Sequence, residues 1–197
     1  MALSFPVDAR VQRNDRLDER SDLELIAAIN CGDAVAFEVL YFRYRAWVVA
    51  LACRFTRDED AALDVLQETF LYFLRKFPGF RLTANFKTFL YPAVRNLSIA
   101  ARRKAERYQA TTAEIERLEQ VPAPEPPTGK ASDTLTAVLA QLPEEQREVL
   151  LLRFADGLSL AEVAAAMDIP LGTVKSRLHN ALQTLRQAPG TKDFFGR

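Results

Sequence analysis

Cysteine and histidine are scarce in this chain of 197 residues, which holds two cysteines and one histidine. Cys31, Cys53 and His179 lie far apart, and neither a CxxC pair nor a Cys/His pair at metal-ligand spacing occurs. This argues against a structural zinc site, and we expect no cofactor. Both cysteines lie in mostly apolar segments, so we expect buried thiols in a reducing compartment.

Long apolar runs are also absent. No segment approaches the roughly 18 continuous apolar residues that a membrane-spanning helix needs. Residues 1–20 are charged from Asp8 onward and lack the apolar core of a signal peptide. We therefore expect a cytoplasmic protein without direct membrane insertion.

An excess of either charge is missing, because Lys plus Arg and Asp plus Glu each number 26. A formal net charge of zero argues against a protein that coats DNA through a uniformly basic surface. It leaves nucleic-acid binding open, because a local cluster of basic residues is sufficient for it.

Glycine is scarce as well, with 7 residues, and alternating β-branched runs are absent. Apolar residues recur at spacings of three and four along nearly the whole chain, which predicts an all-α fold. Ser21, followed three residues later by Glu24, has the pattern of a capping box at a helix start. The predicted helices span about residues 21–31, 33–54, 58–77, 85–107, 133–141, 143–155, 160–167 and 171–187.

Residues 108–133 differ from the rest in composition. They contain Pro122, Pro124, Pro126, Pro127 and Gly129, and few large apolar side chains. Such a stretch cannot bury enough apolar surface to fold, so it predicts a flexible Pro-rich linker, with room for a short helix around residues 113–118. The chain should therefore form two small helical domains. The predicted segments are a flexible N-terminal extension (1–20), a first domain (21–107), the linker (108–133), a second domain (134–188) and a loose tail (189–197).

A short helix, a three-residue turn and a second helix are predicted over residues 160–178. The turn is Asp168-Ile169-Pro170, and the small side chains of Ala164 and Ala165 would let the two helices cross closely. This is the pattern of a helix-turn-helix, whose second helix enters the major groove of DNA. The expected shared core consists of Val163, Met167, Ile169, Val174 and Leu178.

The second helix of this motif is basic, because residues 171–192 contain four basic residues and no acidic residue. With Val174, Leu178 and Ala181 packed inward, the opposite face points outward. Phosphate contacts would supply affinity, and side chains at base edges would supply specificity. A solvated basic face is the alternative interpretation. The candidate DNA-binding residues here are Thr173, Lys175, Ser176, Arg177, His179 and Asn180.

Residues 142–154, Gly157-Leu158-Ser159 and residues 172–177 resemble region 4 of the extracytoplasmic-function (ECF) group of bacterial sigma factors. The resemblance implies a domain that reads the minus-thirty-five promoter element and contacts the β flap of RNA polymerase. Asp168 stands where the family commonly has glycine. Because aspartate tolerates a left-handed backbone better than most residues, we expect the turn to be preserved.

Residues 58–70 resemble region 2.2 of the same family. Between Arg57 and Glu68 there are one basic and five acidic residues. The resemblance implies that this helix docks on the coiled coil of the polymerase β′ subunit, and an acidic amphipathic helix suits a basic partner. A solvated acidic face is the alternative. The candidate docking residues are Asp58, Glu59, Asp60, Asp64, Gln67 and Glu68.

Residues 86–90, 93–96 and 102–103 resemble regions 2.3 and 2.4, which capture the minus-ten element as the duplex opens. Residues 86–107 contain six basic residues and one acidic residue, interleaved with aromatic side chains, as suits single-stranded DNA. The preceding loop, residues 80–85, is where a flipped base would be held. The candidate strand-capture residues are Arg81, Asn85, Lys87, Arg95, Asn96, Arg102 and Arg103.

Three positions, two aromatic and one small, need separate comment. Phe86 and Phe89 are expected to belong to the core rather than to a base platform. Phe89 stands where the family usually has tryptophan, and Ala100 stands where aspartate is common. The minus-ten preference of relatives therefore does not transfer to this chain.

The resemblance as a whole implies a sigma factor that binds core RNA polymerase and directs promoter-specific initiation, including recognition and opening of promoter DNA. It also admits an anti-sigma factor as a partner. A linker would let both domains engage DNA at once and raise the effective concentration of the second contact. The alternative is a stand-alone helix-turn-helix regulator that binds duplex DNA without polymerase. We expect no enzyme, because no nucleophile elbow, metal cluster or Gly-rich phosphate loop accompanies the lone histidine.

Overall fold

The computed structural model describes residues 18–116 and 138–187, and every regular element within these two ranges is a helix. The chain divides into two compact units, Met1–Tyr108 and Gln109–Arg197. The predicted all-α fold class is therefore confirmed.

Four helices begin within the described part of the first unit: α1 (Asp22–Asn30), α2 (Ala34–Thr56), α3 (Glu59–Leu74) and α4 (Phe86–Glu116), the last of which continues past Tyr108. Each of the first three begins at a polar side chain that accepts hydrogen bonds from free backbone N–H groups. Ser21 and Glu24 form the predicted capping box of α1. Asp33 caps α2 through the N–H groups of Val35 and Ala36, and Asp58 caps α3.

Phe73 on α3 lies at the centre of an aromatic core in the first unit. Its side chain is fully buried, and burial of a side chain of this size stabilises a fold by about 1.5–3 kcal/mol. Neighbouring rings meet it mostly edge to face, which is a favoured geometry for aromatic pairs. The rings within contact are Phe37, Phe77, Phe80, Phe86 and Phe89.

Helix α4 is longer than expected. The prediction that it ends at Arg107 is wrong, since it continues to Glu116. No proline or glycine interrupts residues 108–116, so the backbone pattern can persist there without a breaker. The beginning of the predicted linker is thus helical, and residues 117–133 lie outside the described residues.

The end of the predicted N-terminal extension, residues 18–20, is bonded to the helices. Arg20 forms ion pairs with Asp18 and with Asp33 at the start of α2. Arg43 of α2 donates to the backbone carbonyls of Asp18 and Arg20 and pairs with Asp22. These charge-assisted bonds fix the segment. Residues 1–17 lie outside the described residues.

The second unit contains α5 (Glu144–Phe154), α6 (Leu160–Met167) and α7 (Leu171–Gln187), preceded by a helical segment at residues 138–141. Its apolar core joins that segment to α5 and α7. The start of the segment, predicted near 133, and the tail, 189–197, lie outside the described residues. The cluster consists of Val138, Leu142, Leu150, Ala181 and Leu185.

Two predictions of burial are wrong, since Cys31 is exposed and Cys53 is only half-buried. Cys31 follows the last residue of α1 and so lies beyond its packed face. Ala165 is exposed, whereas Ala166 is buried. Ala166 follows Val163 by three residues and therefore shares its inward face.

Candidate nucleic-acid and polymerase interface

The helix-turn-helix of the second unit has the predicted backbone. Ser159 and Glu162 form a capping box at the start of α6, and Asp168 ends that helix in a left-handed conformation with φ of 53°. After α6 ends, the Ile169 N–H donates to the Ala164 carbonyl at 3.1 Å, and the Pro170 carbonyl accepts from the Thr173 N–H at 2.9 Å in the first turn of α7. These bonds set the angle at which α7 leaves the turn.

The outer face of α7 carries four of the six predicted residues. Val174 and Ala181 are buried against the other helices, as expected. The Ser176 hydroxyl donates to the Thr173 carbonyl at 3.0 Å, and Thr173 is half-buried. The exposed residues on this face are Lys175, Ser176, His179 and Asn180.

Arg177, like Thr173, is not on the exposed face of α7. It is half-buried, and its guanidinium pairs with Glu145 in the first turn of α5. Glu148, one turn further along α5, is buried, and this burial raises its pKa to about 7 while the positive charge of Arg177 opposes the shift. Arg177 therefore faces α5 and is not grouped with the outward side chains.

The predicted docking residues all lie exposed along α3 or at its start: Asp58, Glu59, Asp60, Asp64, Gln67 and Glu68. Among them are two leucines that the sequence interpretation missed, Leu63 and Leu71, each 44% exposed. The opposite side of α3 is buried through Val65, Leu66 and Phe70. The departure of both leucines from that apolar stripe could have identified them, because they fall between the inward positions.

The loop between α3 and α4 leads into the predicted strand-capture surface. Asn85 accepts from the N–H of Lys87 at 2.9 Å, so it caps the start of α4. Lys87 is half-buried, with its ammonium 5.7 Å from the centre of the Trp47 ring. Arg81 and Asn85 themselves are exposed.

The remaining basic residues follow along α4 in two rows. Arg95 and Arg102 are half-buried and two helical turns apart, and the exposed Asn96 and Arg103 repeat that spacing beside them. Arg102 pairs with Glu106 at 3.4 Å. Phe86 is fully buried, which confirms its predicted place in the core, whereas Phe89 is only half-buried, with its ring against those of Phe73 and Phe80.

Two further residues at this surface were missed. Asn30, the last residue of α1, bonds to the backbone of the loop at Gly79 and Phe80. Tyr72 of α3 stacks on Phe89, with a centroid distance of 6.1 Å. Asn30 and Phe80 are 50 residues apart, so no local sequence pattern indicates their contact. The aromatic residues around Tyr72 in the sequence gave some indication of its ring contact.

None of the described helices is both long and apolar enough to cross a membrane. Within the same residues, no group of three or more His, Cys, Asp and Glu side chains is placed to hold a metal ion.

Comparisons with known proteins address both units. The family model of Sigma-70 region 2 matches residues 40–108, and that of Sigma-70, region 4 matches residues 132–185. The RNA polymerase sigma-H factor of Pseudomonas aeruginosa is 30% identical over 184 residues, covering 87% of this chain and 95% of that protein. The ECF RNA polymerase sigma-E factor of Escherichia coli (strain K12) is 32% identical over 180 residues, covering 85% and 94%. The chain belongs to the ECF group of RNA polymerase sigma factors.

Solved structures share the fold of this sigma factor. CnrH, in complex with the cytosolic domain of CnrY, has a TM-score of 0.57 at 23% identity and covers 83% of this chain and 93% of its own. The sigma factor RpoE of Bartonella quintana, in complex with the anti-sigma factor NepR, has a TM-score of 0.53 at 24% identity and covers 77% and 94%.

A sigma factor binds core RNA polymerase and promoter DNA and directs transcription initiation, and the predicted function is confirmed at this level. The region 2 match also decides against a stand-alone helix-turn-helix regulator, since it covers the domain for which that alternative gave no account.

Proposed function

We propose that this sigma factor divides its contacts among three surfaces: α3 docks on polymerase, the loop and α4 capture the minus-ten strand, and α7 reads the minus-thirty-five duplex. One observation carries the assignment. The first unit exposes acidic side chains along α3 and basic side chains along α4, so the two helices suit partners of opposite charge. In these terms residues 21–107 bind polymerase and the open strand, and residues 134–188 bind the duplex.

The docking surface combines charge with apolar area. Leu63 and Leu71 lie exposed among the carboxylates of α3. A basic partner helix with apolar positions between its charges would match this pattern, and the β′ coiled coil is the partner that the family resemblance implies. The leucines would supply the buried centre of the contact, and the carboxylates would supply its rim.

The strand-capture surface offers cationic side chains beside rings. Arg81, Asn85 and Asn96 are exposed, and Lys87 lies over Trp47. Phosphates would meet the basic groups, while splayed bases would be bound by amide groups and by the edges of the aromatic cluster. The buried position of Phe86 assigns it to support of this surface.

The minus-thirty-five surface is the exposed face of α7. A lysine such as Lys175 donates to guanine, and an amide such as Asn180 bonds bidentately to adenine. Ser176 and His179 complete the set of exposed polar groups. Arg177 would reach a phosphate only by exchanging the Glu145 carboxylate for a phosphate oxygen.

We also propose that an anti-sigma protein regulates this sigma factor. The sigma factor itself would act in the cytoplasm and would have no catalytic activity of its own. A relative of the same fold is held by the anti-sigma factor NepR. The described residues offer exposed charged and apolar side chains suited to binding a partner.

Run-off transcription tests the assignment. The protein and core polymerase are given a library of genomic fragments, and the promoters are read from the transcripts. We expect the double substitution Asp60→Lys and Asp64→Lys to abolish core binding, because it reverses charge on the docking face. Glu38→Lys, a charge reversal of the same kind at a single exposed site on α2, is the control and makes half of that charge change. Equal core binding by both variants would contradict the docking assignment.

A further inference from the structure

The loop between α3 and α4 is held from outside by one side chain. Residues 75–85 include no helix or strand, yet the backbone in their middle is bonded to α1. The side-chain amide nitrogen of Asn30 donates to the Phe80 backbone carbonyl at 2.8 Å, and the Gly79 N–H donates to the side-chain oxygen Oδ1 of Asn30 at 2.7 Å. A single side-chain amide therefore binds two backbone groups, one in each of the peptide units that flank the Gly79–Phe80 peptide.

Two opposed bonds to neighbouring backbone groups restrict both the position and the rotation of that segment. Gly79 has φ of 95°, a conformation that side chains with a Cβ rarely adopt, and no other atoms crowd the site. Glycine is therefore required at this position by the backbone angle, and the Asn30 bond stabilises the chain in that angle.

The support of Asn30 is itself rigid. Helix α1 is capped at its start by Ser21 and Glu24. After its end, the N–H of Asp33 donates to the Ala28 carbonyl at 3.0 Å, and Asp33 then caps α2. The amide is thus carried by the junction of two capped helices.

The loop also has an apolar anchor next to this bond. The Phe80 ring lies 4.6 Å from that of Phe89 and 5.5 Å from that of Phe73, measured between centroids. With the ring fixed on one side and the carbonyl on the other, the direction of the chain at Phe80 is set. The next residue is Arg81, whose side chain is exposed.

We infer that Asn30 is a positioning residue for capture of the minus-ten strand. It holds the backbone of Gly79 and Phe80 so that Arg81 and the rest of the loop meet the unpaired bases in a preset geometry. This inference rests on the proposed role of the loop in strand capture. Preorganised loops bind more tightly because less conformational entropy is lost on binding.

The test uses full-length protein bound to core polymerase and a single-stranded minus-ten oligonucleotide taken from a promoter found by run-off transcription. Fluorescence anisotropy gives its affinity. We expect Asn30→Ala to weaken binding by roughly three- to tenfold, as the loss of two hydrogen bonds allows. Affinity for core polymerase and for a minus-thirty-five duplex should stay within about twofold.

Asn30→Asp separates the two bonds, because it retains the acceptor for Gly79 and removes the donor to Phe80. It should bind more weakly than the original protein, because a carboxylate oxygen then faces the Phe80 carbonyl and repels it. Cys31→Ala, at the adjacent exposed position, is the matched control and should bind normally. Thermal unfolding of each variant separates loss of fold from loss of positioning.

A double-mutant cycle with Arg81→Ala tests whether Asn30 affects strand binding through the loop. If Asn30 acts through the loop, Arg81→Ala should cost much less in the Asn30→Ala background than alone. Additive effects, or normal binding by Asn30→Ala, would overturn the inference. If Arg81→Ala and Lys87→Ala both bind the strand normally, the proposed function of the loop fails, and the role of Asn30 fails with it.

Discussion

The guanidinium of Arg177 in α7 forms an ion pair with the carboxylate of Glu145 in the first turn of α5. The side chain of Arg177 is 22% exposed and that of Glu145 is 67% exposed, so water reaches the pair from one side. Pairs of this kind contribute little to stability, about 0–1 kcal/mol. The pair therefore matters more for where Arg177 points than for the fold.

Glu145→Gln should leave stability nearly unchanged and free Arg177 for a phosphate. We expect equal or higher affinity for a minus-thirty-five duplex, measured by anisotropy with the polymerase-bound protein, and a change in the free energy of unfolding below about 1 kcal/mol. Glu144→Gln, at the adjacent exposed position, is the control. A clear loss of affinity with Glu145→Gln alone would mean that the ion pair serves DNA binding as it stands.

The pH dependence of stability should report Glu148. Burial raises its pKa from 4.5 to about 7, so the folded state holds the proton more tightly than the unfolded state. The stabilisation from this group is complete below the unfolded pKa and is lost as pH rises through about 7. We expect the unfolding free energy to fall over this interval by at most about 1.4 kcal/mol per pH unit.

Glu148→Gln keeps the shape of the protonated acid and should flatten this dependence. Denaturant unfolding followed by circular dichroism at several pH values measures it. Glu145→Gln removes an exposed acid one turn away and should leave the slope in place. An unchanged slope in Glu148→Gln would assign the pH dependence to other groups.

Tyr44→Phe should destabilise the first unit. The Tyr44 hydroxyl donates to the carboxylate of Asp22, which also pairs with Arg43 at 2.7 Å. Loss of a hydrogen bond to a charged, half-buried group costs about 1.5–3 kcal/mol. Denaturant unfolding followed by the fluorescence of Trp47 reports this unit, since that residue is the single tryptophan of the chain. Tyr108→Phe, at a site 75% exposed, should have no effect, and equal stability of both variants would refute the prediction.

Lys175→Ala should weaken binding of the minus-thirty-five duplex and reduce its salt dependence. Each phosphate contact that is lost lowers the slope of log affinity against log salt by about 0.9. A contact with guanine instead would relax the base preference at one position and cost about 1–3 kcal/mol. Affinities at several salt concentrations distinguish these outcomes. Arg57→Ala in the first unit is the control, and an unchanged slope and preference would remove Lys175 from the interface.

Local sequence patterns predicted helix starts well and side-chain partners poorly. Ser21 and Glu24 predict the start of α1, because a capping box involves only residues that are close together in the sequence. The end of α4 was missed, since no glycine or proline marks it. Arg177 was placed on the DNA face because spacing alone does not reveal Glu145, which lies 32 positions earlier and meets it only in the folded unit.

The contact between Asn30 and the loop bears on how region 2 can be exchanged between sigma factors. The region 2 family model begins at residue 40, whereas the side chain that fixes the loop lies ten positions earlier. The backbone carbonyls of Asp18 and Arg20, which accept hydrogen bonds from Arg43 of α2, lie earlier still in the sequence. A hybrid factor cut at the start of the family match would join a loop from one parent to an anchor from another. A transplant of promoter specificity should therefore carry the chain from Asp18 onward as one inherited piece.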